Sequence, residues 1–404
     1  MSTFPVPDSR ESLSSASEST SIVLSVVIPC LNEAETLPSV VSELRQILDS
    51  SEWSGLYEVV VADNGSTDDS SALAMQAGAR VIHVNVRGYG AALRGGIQDS
   101  HGRIIVMLDA DSTYDAESLP RLVHCLEETP CDLVIGTRLR GQIDGGAMPF
   151  LHRYLGTPFL TWLINAIWKS HLSDSNSGMR AFHREAFLRW SIESAGWEFA
   201  SEMLLTVLSM DGRICEVPIH LRADPLLRIP HLQRWRDGMR NMLLILSRAP
   251  LVFYEIGKRA LAISVLLAIL TLLGPFKIGV FDLFGYHTLI IATLAGFLGT
   301  QSLLYGLFLS LATHRNPTDI IGRFLVNVNE GVLFWLLFAI GVTNLILLIV
   351  LFADWYIHGF STLNLLHFSL YILYAITNLG SIAFGSLHIH IMKRVLDRHQ
   401  STSP

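Results

Sequence analysis

Apolar and polar positions alternate on two different scales along this chain. In its first half, short apolar runs of strand length recur between stretches of helical spacing. Leu24–Pro29, Tyr57–Ala62, Arg80–Val84, Ile104–Leu108 and Asp132–Gly136 read as strands. Between the first two, Leu37, Val40, Val41, Leu44, Ile47 and Leu48 follow helical spacing within Ala34–Leu48, and Gly88–His101 reads as a second helix. Leu151–Lys169 and Trp197–Met210 read as further helices, Ser173–Arg180 as a polar loop and Arg213–Val217 as another strand. This rhythm predicts an α/β fold, a mostly parallel sheet with helices on both faces. Ligands of such sheets bind beyond the carboxyl ends of the strands. Those ends all turn polar: Pro29–Glu33, Asp63–Asp68, Asp109–Thr113 and Thr137-Arg138.

The second half changes scale. Apolar blocks at about Ala260–Phe276, Leu289–Ala312, Val332–Ala353 and Leu363–Ile391 each approach the roughly 20 residues that a membrane-spanning helix needs. Lys258, Arg259, His314, Arg315, Arg323, Lys393, Arg394 and Arg398 flank one side of these blocks, while Lys277 is the basic residue of the other. The positive-inside rule then places the N-terminal domain and the C-terminus in the cytoplasm, which four spans make consistent. Trp235–Ile256 mixes Trp, Arg, Leu and Phe and suits a helix lying along a membrane surface. The expected division is a disordered tail over 1–21, a catalytic domain over 22–230, interfacial helices over 231–257 and a transmembrane region with a short tail over 258–404.

Composition agrees with this division. Of the 404 residues 50% are hydrophobic, and the mean hydropathy is +0.40. The formal net charge of −7 argues against nucleic acid as a partner. Cys30, Cys125, Cys131 and Cys215 form no C-x-x-C and read as packed thiols in a reducing compartment. The start of the chain is rich in Ser and Glu and lacks the basic and apolar regions of a signal peptide.

Candidate chemistry centres on Ile104–Asp115, where a buried strand runs into Asp109-Ala110-Asp111. Two carboxylates there are costly unless paired, and hard oxygen ligands of this kind hold a divalent cation that can in turn hold a diphosphate. Turn aspartates capping the next helix are the plainer alternative. Asp63 fits either a turn before Asn64-Gly65 or an acceptor for a base N–H. Gly88-Tyr89-Gly90 lacks the third glycine of a dinucleotide fingerprint and reads as a helix start approaching a ligand, with Arg87 and Arg94 nearby. Glu198 and Glu202, at i,i+4, fit a catalytic pair or a structural one. Asp174 fits a loop cap or an acceptor-side acid.

The ordered motifs VVIPCLNEAETL, VVVADNGSTDDS, GYGAALRGGI, DADSTYD, DLVIGTRLRG, SDSNSGMRAF and EFASEM resemble those of family-2 glycosyltransferases of the GT-A fold. More narrowly, the chain is similar to polyprenyl-phosphate sugar transferases such as the dolichol-phosphate mannose and glucose synthases. The resemblance covers about Val26–Leu246. It implies that Pro29, Leu31, Glu33, Val61 and Asp63 contact the nucleotide, and that Asp109, Ala110 and Asp111 form the metal and diphosphate motif. It implies a Mg2+ or Mn2+ cofactor, and phosphate contacts for Arg138, Arg180 and Arg228. Thr113 stands where many mannose synthases carry Gln, and offers one oxygen to the metal.

The implied donor is a nucleotide sugar of the UDP-glucose or GDP-mannose type, and the implied acceptor is a polyprenyl phosphate. One in-line displacement would invert the anomeric centre. Because the acceptor oxygen is already anionic, positioning matters more than a strong base, and Asp111, Arg138 and Arg180 are the expected catalytic groups. A homo-oligomer is compatible with this reading. The alternatives are a processive polysaccharide synthase, whose Q-x-x-R-W element Gln233-Arg234-Trp235 matches only in part, and a catalytically silent membrane scaffold.

Overall fold

A computed structural model describes residues 21–224, 234–272, 276–278, 281–313, 322–324, 329–357 and 366–401. Arg228 and nearly all of the expected N-terminal tail lie outside the described residues. The chain divides into two compact units, Met1–Ile245 and Leu246–Pro404.

The first unit is built on one seven-stranded sheet. Its strands are β1 (Leu24–Cys30), β2 (Tyr57–Asp63), β3 (Arg80–His83), β4 (Ile104–Met107), β5 (Leu133–Ile143), β6 (Arg180–His183) and β7 (Ile214–Leu221), in the order β3-β2-β1-β4-β6-β5-β7. Only β6 is reversed, antiparallel to both β4 and β5. The expected mostly parallel sheet is therefore present, with one strand that the sequence pattern did not announce. Ser173–Arg180 was expected to be a loop, yet Arg180 opens β6. Four residues, two of them Arg and His, carry no apolar run; insertion between β4 and β5 is what buries Arg180, Ala181 and Phe182.

Among the described residues, the α-helices that accompany the sheet are α1 (Leu37–Asp49), α2 (Ser70–Gln76), α3 (Tyr89–Asp99), α4 (Leu119–Glu128), α5 (Thr157–Trp168), α6 (Arg184–Trp190) and α7 (Phe199–Ser209), and α8 (Arg234–Ser247) runs to the end of the unit. Side chains alternate across each strand, so the sheet feeds two cores. Val26, Ile28, Val59, Val61, Ile104 and Val106 pack on one face with the α1 residues Val41 and Leu44 and the α4 residues Leu122 and Leu126. Val27, Val60, Ile105 and Met107 pack on the other with residues of α3, α5, α6 and α7. Pro29 pairs with Ala62 but lies past Val27, the last residue of β1 that β4 pairs, where a missing N–H is tolerated.

Cys131 and Cys215, at a Cα–Cα separation of 6.1 Å, are joined as a disulfide. This corrects the expectation of four separate thiols: β5 and β7 are parallel neighbours, and their pairing brings the two cysteines together.

In the second unit, Tyr286–Ala312, Gly331–Ile357 and Ser369–Met392 are, among the described residues, the helices long and apolar enough to cross a membrane. They mark a membrane protein. The first expected span belongs, as far as Leu272, to a longer helix, α9 (Pro250–Leu272), which carries Glu255, Lys258 and Arg259 in its first half, while Phe276, its expected end, opens a short strand (Phe276–Ile278). α9 packs tightly against α10 (Tyr286–Ala312): a Cβ on Gly257 would sit 2.4 Å from the backbone nitrogen of Leu303. Close backbone approach through small residues is the usual packing mode of helices in lipid.

Asn64 fastens the strand ends of the first unit. Its amide donates to the carbonyls of Val84 and Val86 at 3.0 and 2.7 Å, and its oxygen accepts from the Gly88 N–H at 2.7 Å. Asn64→Ala should destabilise the protein by about 1–2 kcal/mol, since it removes three hydrogen bonds to partly buried backbone groups; a lowered apparent Tm of the purified protein checks this.

Candidate active site

The carboxyl ends of β1, β2 and β4, the middle of β5, where its register with β7 shifts between Thr137 and Gln142, and the loop before β6 carry the predicted residues. After β4 the chain turns sharply, with Ser112 at φ 62°, and this bends Asp109–Thr113 across the strand ends. Asp109 Oδ1 accepts a hydrogen bond from the Tyr89 hydroxyl at 2.8 Å. Asp111 Oδ1 accepts from the Thr113 backbone N–H at 3.0 Å and from its hydroxyl at 2.6 Å. Thr113 thus orients Asp111 through its hydroxyl proton. Burial, and then the nearby Asp111 charge, push the Asp109 carboxyl up to about 7, with Glu33 adding to the repulsion and Arg138 opposing it. Glu33, Asp109, Asp111 and Arg138 therefore share one electrostatic neighbourhood.

Arg138 is the site's fixed cation. Its Nε and Nη2 grip Asp174 bidentately at 2.7 and 2.9 Å, and its backbone N–H donates to the same carboxylate at 3.1 Å. Asp174 is fully buried. Burial opposes its ionisation, but the Arg138 charge and hydrogen bonds outweigh this and hold it below the usual carboxylate range. For Arg138, burial is outweighed by Asp174, which holds the guanidinium above its ordinary value. The loop itself is anchored from β7, where Glu216 accepts from the backbone N–H groups of Ser173 and Asp174 at 2.8 and 3.1 Å. Of the two readings open for Asp174, the loop cap is present, since its Oδ1 accepts from the Asn176 N–H at 3.2 Å, but its main partner is Arg138, whose counterion it is.

The next turn of this loop packs against Asp109. A Cβ on Gly178 would lie 2.8 Å from Asp109 Oδ2, so only glycine leaves the carboxylate its space. The Gly178 N–H donates to the Tyr114 hydroxyl oxygen at 2.7 Å. Burial raises the Tyr114 phenol to about 12, so it stays protonated.

Other expected residues fall elsewhere. Arg180 is fully buried, and its guanidinium donates to the carbonyls of Ser177, Ala200 and Ser175. Burial lowers it to about 10. It supports the loop from beneath, which corrects its assignment as a phosphate-gripping catalytic residue. Val61 and Ala110 are core residues, which corrects any side-chain contact with a base or diphosphate. Asp63 accepts from the backbone N–H groups of Gly65 and Ser66 at 3.3 and 3.1 Å and meets His83 Nδ1 at 3.2 Å, so its turn role is realised. Leu31 is exposed and Pro29 half-buried at the end of β1.

The glycines around Tyr89 serve packing. A Cβ on Gly88 would lie 2.1 Å from the Ala195 carbonyl, and one on Gly90 2.5 Å from that of Ser194. Tyr89 itself stacks on Trp197 at 4.5 Å between ring centroids. Arg87 donates to the Asn64 and Gly65 carbonyls, and Arg94 to those of Ile192 and Glu193. Glu202 accepts from the Glu193 and Ser194 N–H groups at 3.1 and 2.8 Å, which makes it a loop anchor. Sequence reasoning missed Tyr89, Gly178 and Glu216. Tyr89 was visible as the centre of Gly-Tyr-Gly, but its hydroxyl reaches Asp109 only once α3 has docked.

The acid pair suits a divalent cation. Two crowded carboxylates resist ionising together, and a cation between them removes that cost. Among the described residues no cluster of three or more His, Cys, Asp or Glu could hold a metal alone. Asp109 and Asp111 would supply part of an oxygen shell, leaving phosphate and water to complete it.

The family model described as Glycosyl transferase family 2 matches residues 25–190. The chain is 36% identical over 308 residues to a low-salt glycan biosynthesis hexosyltransferase of Haloferax volcanii, a match covering 75% of this chain and 72% of that protein. It is 31% identical over 201 residues to a dolichyl-phosphate hexose transferase of the same organism, covering 48% of this chain and 82% of that one. Among solved structures, glucosyl-3-phosphoglycerate synthase from Mycobacterium tuberculosis, in complex with Mn2+, UDP and phosphoglyceric acid, is similar at 26% identity and a TM-score of 0.46. That likeness covers 56% of this chain and 78% of that one.

Removing Asp174 strands a buried cation. Asp174→Ala should cost about 3–5 kcal/mol of stability, seen as a lowered apparent Tm. Because the folded Asp174 pKa is depressed, its contribution is fully present above the unfolded value of about 4 and is lost as pH falls through the lower folded value. Acid unfolding curves of the wild type should therefore be steeper below about pH 4 than those of Asp174→Asn.

Proposed function

Since the chain belongs to glycosyl transferase family 2, we propose that it transfers a hexose from a nucleotide-diphosphate sugar to a polyprenyl phosphate, at the cytoplasmic face of a membrane. The observation that carries this reading is the juxtaposition of Asp109 and Asp111 with the Arg138–Asp174 pair. The acids serve the departing diphosphate and the arginine serves an incoming phosphate. The names of the two Haloferax volcanii relatives support hexose as the group transferred, and one of them supports the lipid phosphate.

The acceptor phosphate oxygen attacks the anomeric carbon as the bond from that carbon to the diphosphate oxygen breaks. The electron pair leaves with the nucleoside diphosphate, and the anomeric configuration inverts. The attacking oxygen is anionic at neutral pH, so no side chain need remove a proton. Asp174 takes up two of the five guanidinium N–H groups of Arg138, leaving three donors for phosphate oxygens. Mg2+ or Mn2+ held by Asp109 and Asp111 would neutralise charge developing on the diphosphate. Thr113 orients Asp111 for that task, and Tyr89 orients Asp109. Glu33, Leu31 and Asp63 are proposed to border the nucleotide, and Arg228 to contact phosphate.

The membrane topology is proposed from charge. Lys258 and Arg259 precede the apolar part of α9, which counts as the first of four spans, and Lys393, Arg394 and Arg398 follow the last. This asymmetry supports a cytoplasmic catalytic domain.

The test is to supply the purified protein with a panel of nucleotide sugars, Mg2+ or Mn2+, and a short polyprenyl phosphate, with product mass as the readout. A single hexose on the lipid is expected; polymer, or transfer that ignores the lipid phosphate, would overturn the reading. Asp111→Asn should lower turnover by about 100-fold or more, in line with losing one electrostatic stabiliser of the transition state. Arg138→Lys keeps the charge but loses the bidentate grip on Asp174, and turnover should fall about tenfold or more.

A further inference from the structure

Three of the four cysteines meet beside the edge strand of the sheet. Cys215 lies on β7 and Cys131 just before β5, and the two are joined as a disulfide. The third, Cys125, lies on α4 and is a half-buried free thiol. One hydroxyl links it to the bonded pair: Thr129 Oγ1 is 3.9 Å from Cys125 Sγ and 3.7 Å from Cys215 Sγ. Thr129 donates its own proton to the Cys125 carbonyl, so its oxygen is left to accept from the Cys125 S–H. Cys30 stands apart in the core, where burial pushes its thiol up and keeps it unreactive.

The strands hold these sulfurs in place whether or not the bond is closed. The Asp132 N–H donates to the Arg213 carbonyl at 2.8 Å, and Leu133, Val134 and Ile135 pair with Ile214, Cys215 and Glu216. An opened bond therefore leaves its two thiols within reach of each other and of Cys125. Small molecules have a way in as well. Cys215 is half-buried, and a cavity of about 490 Å³ bordered by Arg103, Glu127, Thr129 and His183 lies beside Cys131. A disulfide that serves only as a staple needs neither a third thiol nor an approach from solvent; exchange needs both.

We propose that Cys125, Cys131 and Cys215 form a thiol–disulfide exchange site for low-molecular-weight thiols, with Cys125 as the alternative partner of Cys215. A thiol RSH gives up its proton and its sulfur attacks Cys215 Sγ. The Cys131–Cys215 bond breaks, and Cys131 leaves with the electron pair and takes up the proton. Cys215 now carries RS in a mixed disulfide. Cys125, losing its proton, attacks the same Sγ and returns RSH, which leaves Cys125 joined to Cys215 and Cys131 as a thiol. No net oxidation occurs along this route. A second RSH attacking the RS sulfur instead frees Cys215 and yields RSSR, so the cysteine pair is reduced as two thiols are oxidised. The bond ties β5 to the edge strand β7, and these strands carry Arg138 and Glu216. Glu216 directly follows Cys215 and holds the loop of Asp174, so opening the bond loosens the strand behind the counterion of Arg138.

The test incubates the folded full chain in glutathione buffers running from oxidised to reduced, blocks free thiols with an alkylating reagent, and maps the bonds by non-reducing peptide mass spectrometry. Without denaturant, Cys131–Cys215 should open in reduced buffer and close again in oxidised buffer, and a Cys125–Cys215 pair should appear at intermediate ratios. Cys131→Ser in oxidised buffer should carry the Cys125–Cys215 bond. A Cys131–Cys215 bond that excess reduced glutathione leaves closed until the protein is unfolded would overturn the proposal. So would a wild type that opens and closes with no Cys125–Cys215 pair at any ratio. Peptides spanning Ser173 and Asp174 should exchange hydrogen several-fold faster with the bond open; equal exchange in both states would overturn the link to the loop. No donor or acceptor is present, so these results do not depend on whether the proposed transfer reaction is correct.

Discussion

A buried carboxylate needs a cation, and the candidate site is arranged around which of its acids has one. Asp174 has Arg138 in a bidentate pair and stays ionised well inside the protein. Asp109 lies near the same arginine without gripping it, is crowded by Asp111, and rises to about 7. Environments that push two acids apart in this way separate their tasks. The first acid is structural and places a guanidinium; the second is left wanting a positive partner. Glu216 extends the structural side by holding the backbone of Ser173 and Asp174, so a residue on β7 helps to place the Arg138 guanidinium. The antiparallel strand β6 makes this possible, since it returns the loop over the ends of β4 and β5.

Much of this was legible in the sequence, and the physical reason is periodicity. β1 to β5 are apolar runs with polar ends, and a parallel sheet covered on both faces writes that signal strongly. The position of Asp109 and Asp111 beyond a buried strand followed directly. The roles of Arg180 and Asp174 did not. Both lie in one polar loop where an arginine and an aspartate look equally exposed, and only insertion of β6 decides that Arg180 is buried beneath the loop. Val61 illustrates a related limit: an apolar residue near a strand end is core or ligand contact according to which way its side chain alternates. The Gly88 and Gly90 signal was real but served contact with Ser194 and Ala195.

The second unit was legible for a different reason, since long apolar blocks need no partner to be recognised. Its first block was harder, because α9 continues a helix that begins with Glu255, Lys258 and Arg259. A helix that carries charge at one end and apolar residues at the other suits an entry into lipid. The exposed aromatic side chains of α5 are apolar surface of a different kind. In the sequence Leu151–Lys169 reads only as a helix, and the structure adds which of its apolar residues are exposed, among them Leu155, Phe159 and Trp162.

The central claim is that Asp109 and Asp111 hold a cation that in turn holds a nucleoside diphosphate. Calorimetric titration of the purified protein with UDP and with GDP, each with and without Mn2+, tests it most directly. The account predicts that at least one of the two binds, that this binding requires the metal, and that it disappears in Asp111→Asn. Nucleotide binding of equal strength with and without Mn2+, unchanged in Asp111→Asn, would contradict it.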